Sequence, residues 1–205
     1  LVRSHPAFGE AKAAAEAAGL GLLDYLERRA VGRFATPAEA ALLARGTHVL
    51  PEFLGNRSPR ADPEARAVIA GLALDSDLDS LERLFVAGLC GLAYGLADVA
   101  DALAAQGIHS RLMMISGGAS RSALALPATP EPVLLGAAML GAVAGGAWPP
   151  LVDAMGALSG LSRLTEPTQP KLAAFHQAKR RAHALLQTLD RETRAVMAGL
   201  PTCGG

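Results

Sequence analysis

The sequence predicts an α/β fold, and three observations carry that prediction. A short continuous apolar run at 112–115, LMMI, feeds a turn with two glycines. Strand-like segments alternate with longer helical patterns along the chain. A further extended segment near residue 47 is bounded by turn residues, whereas the chain's ends are helical in pattern. A continuous apolar run of that length suits a buried strand. The turn Ser116-Gly117-Gly118-Ala119-Ser120 lets the backbone bend and come close to another group. Open α/β sheets bind ligands beyond the carboxyl ends of their strands. Successive backbone N–H groups in such a turn can cradle a phosphate. A plain turn is the competing reading of the same residues.

The elements follow in order. Residues 7–18 are alanine-rich, a good helix by propensity, with Gly19 placed to end it. Residues 20–30 form a second short helix with Leu22, Leu23 and Leu26 apolar. Thr36-Pro37-Ala38-Glu39 pairs a cap, a first-turn proline and a capping-box glutamate, opening a third helix to Ala44. His5 and Arg28-Arg29 are expected at the surface. Residues 47–74 are expected to form a hairpin with an elaborate, turn-rich connection. In that connection Asn56 and Arg57 either face a ligand or belong to a loop held by its own hydrogen bonds.

Asp75, Asp77, Asp79 and Glu82 lack the glycine and the spacing of a calcium loop. They are expected instead to open a long helix over 81–106, capped by Asp79 or Ser80, with Gly88, Gly91 and Gly95 permitting close approach. Residues 124–126 read as another strand, followed by a largely apolar helix from Glu131 towards Gly146, a helix over 150–158 and a long terminal helix over 171–197. On the last, Phe175, Ala182, Leu185 and Leu189 are expected to face inward. His176 and His183 are expected to be exposed, without a third metal ligand. Only 116–123 separate the two apolar strand runs, too few for a parallel crossover. The sequence therefore predicts a missing segment between Ser122 and Ala123, unless the two strands are antiparallel.

Composition excludes several classes. Lys+Arg and Asp+Glu are each 19, so net charge is zero, and aromatics are 4%. This argues against nucleic acid and against an anionic membrane surface as partner. The apolar fraction is 51% and mean hydropathy +0.28, the composition of a chain that can bury a core. Cys90 and Cys203 are the only cysteines, and free thiols in a reducing, cytoplasmic compartment are the simplest expectation. No signal peptide is visible. The apolar run 133–148 is short for a bilayer span. The chain opens at Leu1 with sequence like mid-helix, so it is expected to be part of a longer protein.

Four segments occur together and in order: HVLPEFLGNRSPRADPEARAVIAGL at 48–72, the ISGGASRS turn, EPVLLGAAMLGAVAGG at 131–146 and AFHQAKRRAHALL at 174–186. The set resembles the C-terminal lobe of the FGGY carbohydrate kinases, most of all pentulose kinases of the D-ribulokinase type. The resemblance implies a ribonuclease-H-like lobe of the actin-like ATPase architecture, a mixed sheet flanked by helices. It assigns 47–205 to that lobe and 1–46 to a helical, family-specific insertion. It implies ATP and Mg2+ as cofactors, and ATP, a small sugar and an N-terminal lobe of the same protein as partners. A homodimer stays open.

By the same resemblance Gly117 and Gly118 pass beside the adenosine and α-phosphate, where a side chain would clash. Ser120, Arg121 and Ser122 lie near the adenine or ribose, with serine at 122 where relatives often carry asparagine. The aspartate base and the phosphate-binding turn of the family have no match in this sequence and are expected upstream. The implied reaction is phosphorylation of a free ketopentose such as D-ribulose. Alternatives are the same chemistry on L-ribulose, xylulose, ribitol or glycerol, or a non-catalytic actin-like nucleotide-binding protein.

Overall fold

A computed structural model describes residues 1–109, 125–127, 132–147, 150–164 and 172–200. The chain divides into two compact units, Leu1–Ile108 with Thr168–Gly205, and His109–Pro167. In the first unit a 3-10 turn at Val2–Ser4 leads into α1 (Phe8–Ala17) and α2 (Leu22–Val31). Alanine-rich α1 ends as its sequence predicts. Gly19 takes a left-handed conformation, φ +66°, and Leu20 N donates to Ala15 O at 2.9 Å, closing off the last carbonyls. Thr36 and Glu39 form the predicted capping box, with Thr36 N donating to Glu39 Oε2 at 3.3 Å. The helix they open, Pro37–Ala44, is a 3-10 helix.

The expected hairpin follows. β1 (His48–Leu50) pairs antiparallel with β2 (Val68–Ala70), Val49 opposite Ile69. α3 (Leu78–Ala104) then crosses the unit and carries much of its core, with Leu81, Leu84, Phe85 and Val86 buried against Leu26 and Val49. Its cap differs from the expectation. Asp77 is the N-cap and accepts from Ser80 N at 2.8 Å. Asp79 is drawn away to Arg29 and Arg33, and Glu82 pairs with the same two arginines. Arg29 is thus an ion-pair partner and not the free surface group its sequence suggests. His5 is likewise half-buried, its Nε2 3.2 Å from Ser80 Oγ.

Close approach along α3 is real at Gly91 and absent at Gly95. A Cβ at Gly91 would stand 2.2 Å from Val49 O, whereas one at Gly95 would meet nothing within 4 Å. β1 can therefore lie on α3 only because residue 91 has no side chain. α3 is the one helix among the described residues long and apolar enough to cross a membrane. Its side chains between Leu81 and Tyr94 supply much of the hydrophobic core.

α6 (Ala173–Met197) completes the unit, and its inward face is not the predicted one. Leu185 is 69% and Leu189 47% exposed, while Lys179, His183, Leu186, Gln187 and Asp190 are buried. At 100° per residue these five share one side of the helix, opposite Leu185. The partner surfaces explain the inversion, because α6 meets backbone carbonyls and carboxylates there and polar side chains satisfy them. His183 and His176 are accordingly buried and half-buried, against the expectation that both are exposed.

The second unit holds β3 (Ala125–Pro127), α4 (Pro132–Ala144), α5 (Leu151–Leu158) and β4 (Leu161–Leu164). β3 and β4 pair antiparallel, Leu126 opposite Arg163. Both helices lie where the sequence places them, with Met139 and Ala154 buried.

Candidate functional site

The candidate nucleotide-binding residues Gly117, Gly118, Ser120, Arg121 and Ser122 lie outside the described residues, as do the strand expected at 112–115 and the predicted break after Ser122. What is described begins just beyond them, with β3 and α4. In the hairpin connection the self-held loop is the reading that stands. Asn56 Nδ2 donates to Glu52 Oε1 at 2.6 Å, and Asn56 Oδ1 accepts from Arg60 N at 3.1 Å. Asn56 and Asp62 also exchange two backbone hydrogen bonds, at 2.7 and 2.8 Å. Arg57 is exposed and has no partner among the described residues.

Sequence reasoning missed a buried polar seam where α6 meets β1, α3 and the 3-10 helix. Lys179 sits at its centre, and its ammonium makes three contacts. It donates to Ala44 O and Thr47 O, both at 2.6 Å, and approaches His48 Nδ1 at 3.1 Å. Ala44 is the last residue of the 3-10 helix, so the cation meets its terminal carbonyl at the negative end of that helix, alongside Thr47 N, which donates to Ala44 O at 3.2 Å. An ammonium donor requires His48 Nδ1 to be unprotonated. Nearby, Tyr94 Oη and His176 Nδ1 are 2.9 Å apart.

Toward the far end of the seam, Gln187 Nε2 donates to Asp98 Oδ2 at 2.9 Å and Arg60 donates to Gln187 Oε1. Arg180 bridges Asp98 at 3.2 Å and Asp101 at 2.7 Å. His183, 4% exposed, makes no hydrogen bond through either ring nitrogen, and Asp98 Oδ2 stands 3.9 Å from its Nε2.

Burial governs the electrostatics. It pulls Lys179 below the ordinary lysine range, with Cys90 opposing. It also lowers His48 and His176, in both cases aided by Lys179, and His183, where Asp98 opposes. Burial raises the Cys90 thiol and the Tyr94 phenol. A lysine whose three donors are all engaged has no free role as nucleophile or base. The cavity enclosed by His48, Cys90, Tyr94, Lys179 and His183 is about 10 Å3, room for about one water. The seam is therefore a fastening of the fold, and reactive chemistry belongs elsewhere. Its signal in the sequence is polar residues at core spacing: positions 179, 183, 187 and 190 recur at helical intervals.

The fold is that of the sugar kinases with actin-like ATPase architecture, helix-rich with little sheet. A xylulose kinase structure from Brucella ovis superposes with a TM-score of 0.57 at 28% identity, over 82% of this chain and 37% of that one. The structure of Plasmodium falciparum glycerol kinase with ADP gives 0.54 at 21% identity, over 76% of this chain and 34% of that one. The model of the FGGY family of carbohydrate kinases, C-terminal domain, matches residues 2–145. The chain belongs to that family.

An FGGY carbohydrate kinase domain-containing protein of Xenopus laevis is 30% identical over 96% of this chain and 38% of its own length. The chain thus spans about a third of the length of the curated relatives it matches first. Relatives named D-ribulokinase and glycerol kinase also match, each over 60% of the chain. The D-ribulokinase likeness is one among several. The family match begins at residue 2, and the first 46 residues pack in the same unit as α3.

Proposed function

We propose that the protein containing this chain transfers the γ-phosphoryl group of ATP to a hydroxyl of a free ketopentose, D-ribulose or a related pentulose. The chain supplies the nucleotide side of the cleft, and an N-terminal lobe supplies the sugar side. The hydroxyl oxygen bonds to the γ-phosphorus as the bond to the β,γ-bridging oxygen breaks. ADP departs, and the hydroxyl proton passes to an aspartate base outside this chain. Catalysis of this kind is mostly positioning and charge neutralisation. Gly117 and Gly118 run beside the adenosine and α-phosphate, and Ser120, Arg121 and Ser122 approach the adenine or ribose. Among the described residues no three His, Cys, Asp or Glu side chains converge on a metal position. Mg2+ is expected to arrive on the ATP phosphates. A reducing, cytoplasmic compartment is part of this proposal, supported by the use of only two cysteines, Cys90 and Cys203.

The observation that carries this reading is the family match over 2–145, which takes in the Gly-Gly turn. In full-length protein, Gly118→Val is expected to weaken ATP binding, measured by calorimetry, at least about tenfold, or about 1.4 kcal/mol. Unchanged affinity removes the nucleotide assignment. A panel of D-ribulose, L-ribulose, xylulose, ribitol and glycerol, followed by ADP release, is expected to give the highest kcat/KM with D-ribulose. A higher value on glycerol removes the pentulose assignment and leaves the kinase.

A further inference from the structure

One stripe of α3 is covered along its first half and bare along its second. Positions 81, 85, 88, 92, 96, 99 and 103 lie within about 40° of one line along the helix at 100° per residue, the spacing of a packed face. Leu81, Phe85 and Gly88 are buried. Leu92 is 52%, Leu96 43% and Leu103 37% exposed, with Val99 half-buried between them. The bare stretch from Leu92 to Leu103 is about 17 Å long at 1.5 Å per residue. A contiguous apolar face of this kind marks a surface that another segment or partner covers.

The cover on the first half points to the cover on the second. His5 Nε2 lies 3.2 Å from Ser80 Oγ at the start of α3, and a Cβ at Gly88 would stand 3.1 Å from Leu1 Cδ2. Going back from His5 to Leu1, the chain thus advances along α3 from position 80 to position 88, antiparallel to the helix. Leu1 and Val2 pack against the core on the way. The next position of the stripe is Leu92, about one turn beyond Leu1. We propose that the segment immediately preceding Leu1 continues on this line and buries Leu92, Leu96, Val99 and Leu103. About 5 residues span the bare stretch if extended and about 11 if helical. Those facing α3 are apolar, because the stripe offers them no polar partner. The junction with the N-terminal lobe is thereby laid on the helix that also holds β1 through Gly91. The proposal takes from the proposed function only that such a lobe precedes Leu1, in line with relatives of which this chain spans about a third.

Photo-cross-linking in the full-length protein tests this without ATP or sugar, so the proposal and the kinase reading fail separately. p-Benzoylphenylalanine replaces Leu92 in one variant and Leu103 in another. Each probe is expected to be captured by a peptide within about 15 residues upstream of Leu1, the first nearer Leu1 and the second farther from it. Mixing isotopically light and heavy protein separates capture within one molecule from capture between copies. Capture by residues 109–167 or by a second copy, the reverse order, or no capture overturns the proposal. Hydrogen exchange reads the same contact without a bulky probe. Leu96→Ala is expected to speed exchange in the segment before Leu1 at least about threefold. Leu74→Ala, at a fully exposed site, is expected to leave it unchanged. Unchanged protection in Leu96→Ala, or an equal effect from both variants, overturns the proposal as well.

Discussion

Glu82 and Lys179 are both withdrawn from water within the same unit, and the fold compensates them by different means. Glu82 is 0% exposed but faces two guanidiniums, Arg29 Nε at 2.7 Å and Arg33 Nε at 3.2 Å. Burial raises its carboxyl, and Arg33 and Arg29 pull it back. Lys179 has no carboxylate partner among the described residues. Its charge is solvated by Ala44 O, Thr47 O and His48 Nδ1. The difference lies in what each partner can do when the charge is removed. The two arginines are about one-third exposed and can turn to water. The carbonyls of Ala44 and Thr47 are fixed in backbone and cannot. A charge solvated by main chain is thus the harder to replace.

The largest expected effect follows directly. Lys179→Met keeps most of the volume but takes the ammonium from two buried carbonyls, leaving Ala44 O with Thr47 N alone, and a buried carbonyl without a donor costs about 1–3 kcal/mol. Relief of a desolvated charge offsets part of the loss, so a net loss of about 2 kcal/mol is expected. Glu82→Gln leaves two cations that can reorient into solvent, and about 1 kcal/mol is expected. Urea unfolding of both variants measures the pair. An equal or larger loss for Glu82→Gln breaks the comparison.

Neither anchor was foreseen, and the reasons are physical. Helix positions were legible because local rules set them: the alanines of α1, Gly19 at its end, and the Thr36–Glu39 capping box are all decided within a few residues. Strand pairing near residue 48 was legible from its bounding turns. Helix orientation was not, because it depends on what the helix meets. Leu185 and Leu189 look like a core face until Lys179, His183 and Gln187 find carbonyls and Asp98 on the other side. Arg29 and Glu82 lie 53 positions apart, so their pairing is invisible to spacing. The proposed nucleotide loop shows the converse. Gly117 and Gly118 stand out in the sequence through their family motif, independently of any contact described for them.

The two anchors also differ in how they respond to acid. Burial lowers His48, His176 and His183 from 6.5, so the folded state binds fewer protons than the unfolded state below that value. Stability therefore falls as pH drops from about 6.5 toward the depressed folded values. Lys179, Arg60 and Arg180 face these histidines and add to the effect, while Asp98 opposes it at His183. At the other anchor, hydrogen bonds from Arg33 and Arg29 hold Asp79 below 3.8, and its contribution is lost only as pH falls through that lower value. Glu82, raised by burial, favours the folded state as it protonates. Hydrogen exchange at pH 7 and pH 5 is expected to show β1 and α6 losing protection first. The contacts of α3 with α2 through Arg29 and Arg33 stay protected. Simultaneous loss at both anchors removes the distinction.

The smallest effect is expected at His183, and it sharpens the argument most. Its two ring nitrogens make no hydrogen bond, and Asp98 is 3.9 Å away. Neutral His183 is therefore a buried polar group without compensation, unless a water occupies the cavity of about 10 Å3 beside it. His183→Phe fills the same space without those nitrogens, and Gln187 and Arg180 still satisfy Asp98. No loss of stability is expected, with a gain of up to about 1 kcal/mol. Because His183 is then absent, the decline in stability below pH 6.5 should also flatten. A loss greater than about 1 kcal/mol by urea unfolding, or an unchanged acid decline, means that His183 is satisfied and fastens α6 as Lys179 does.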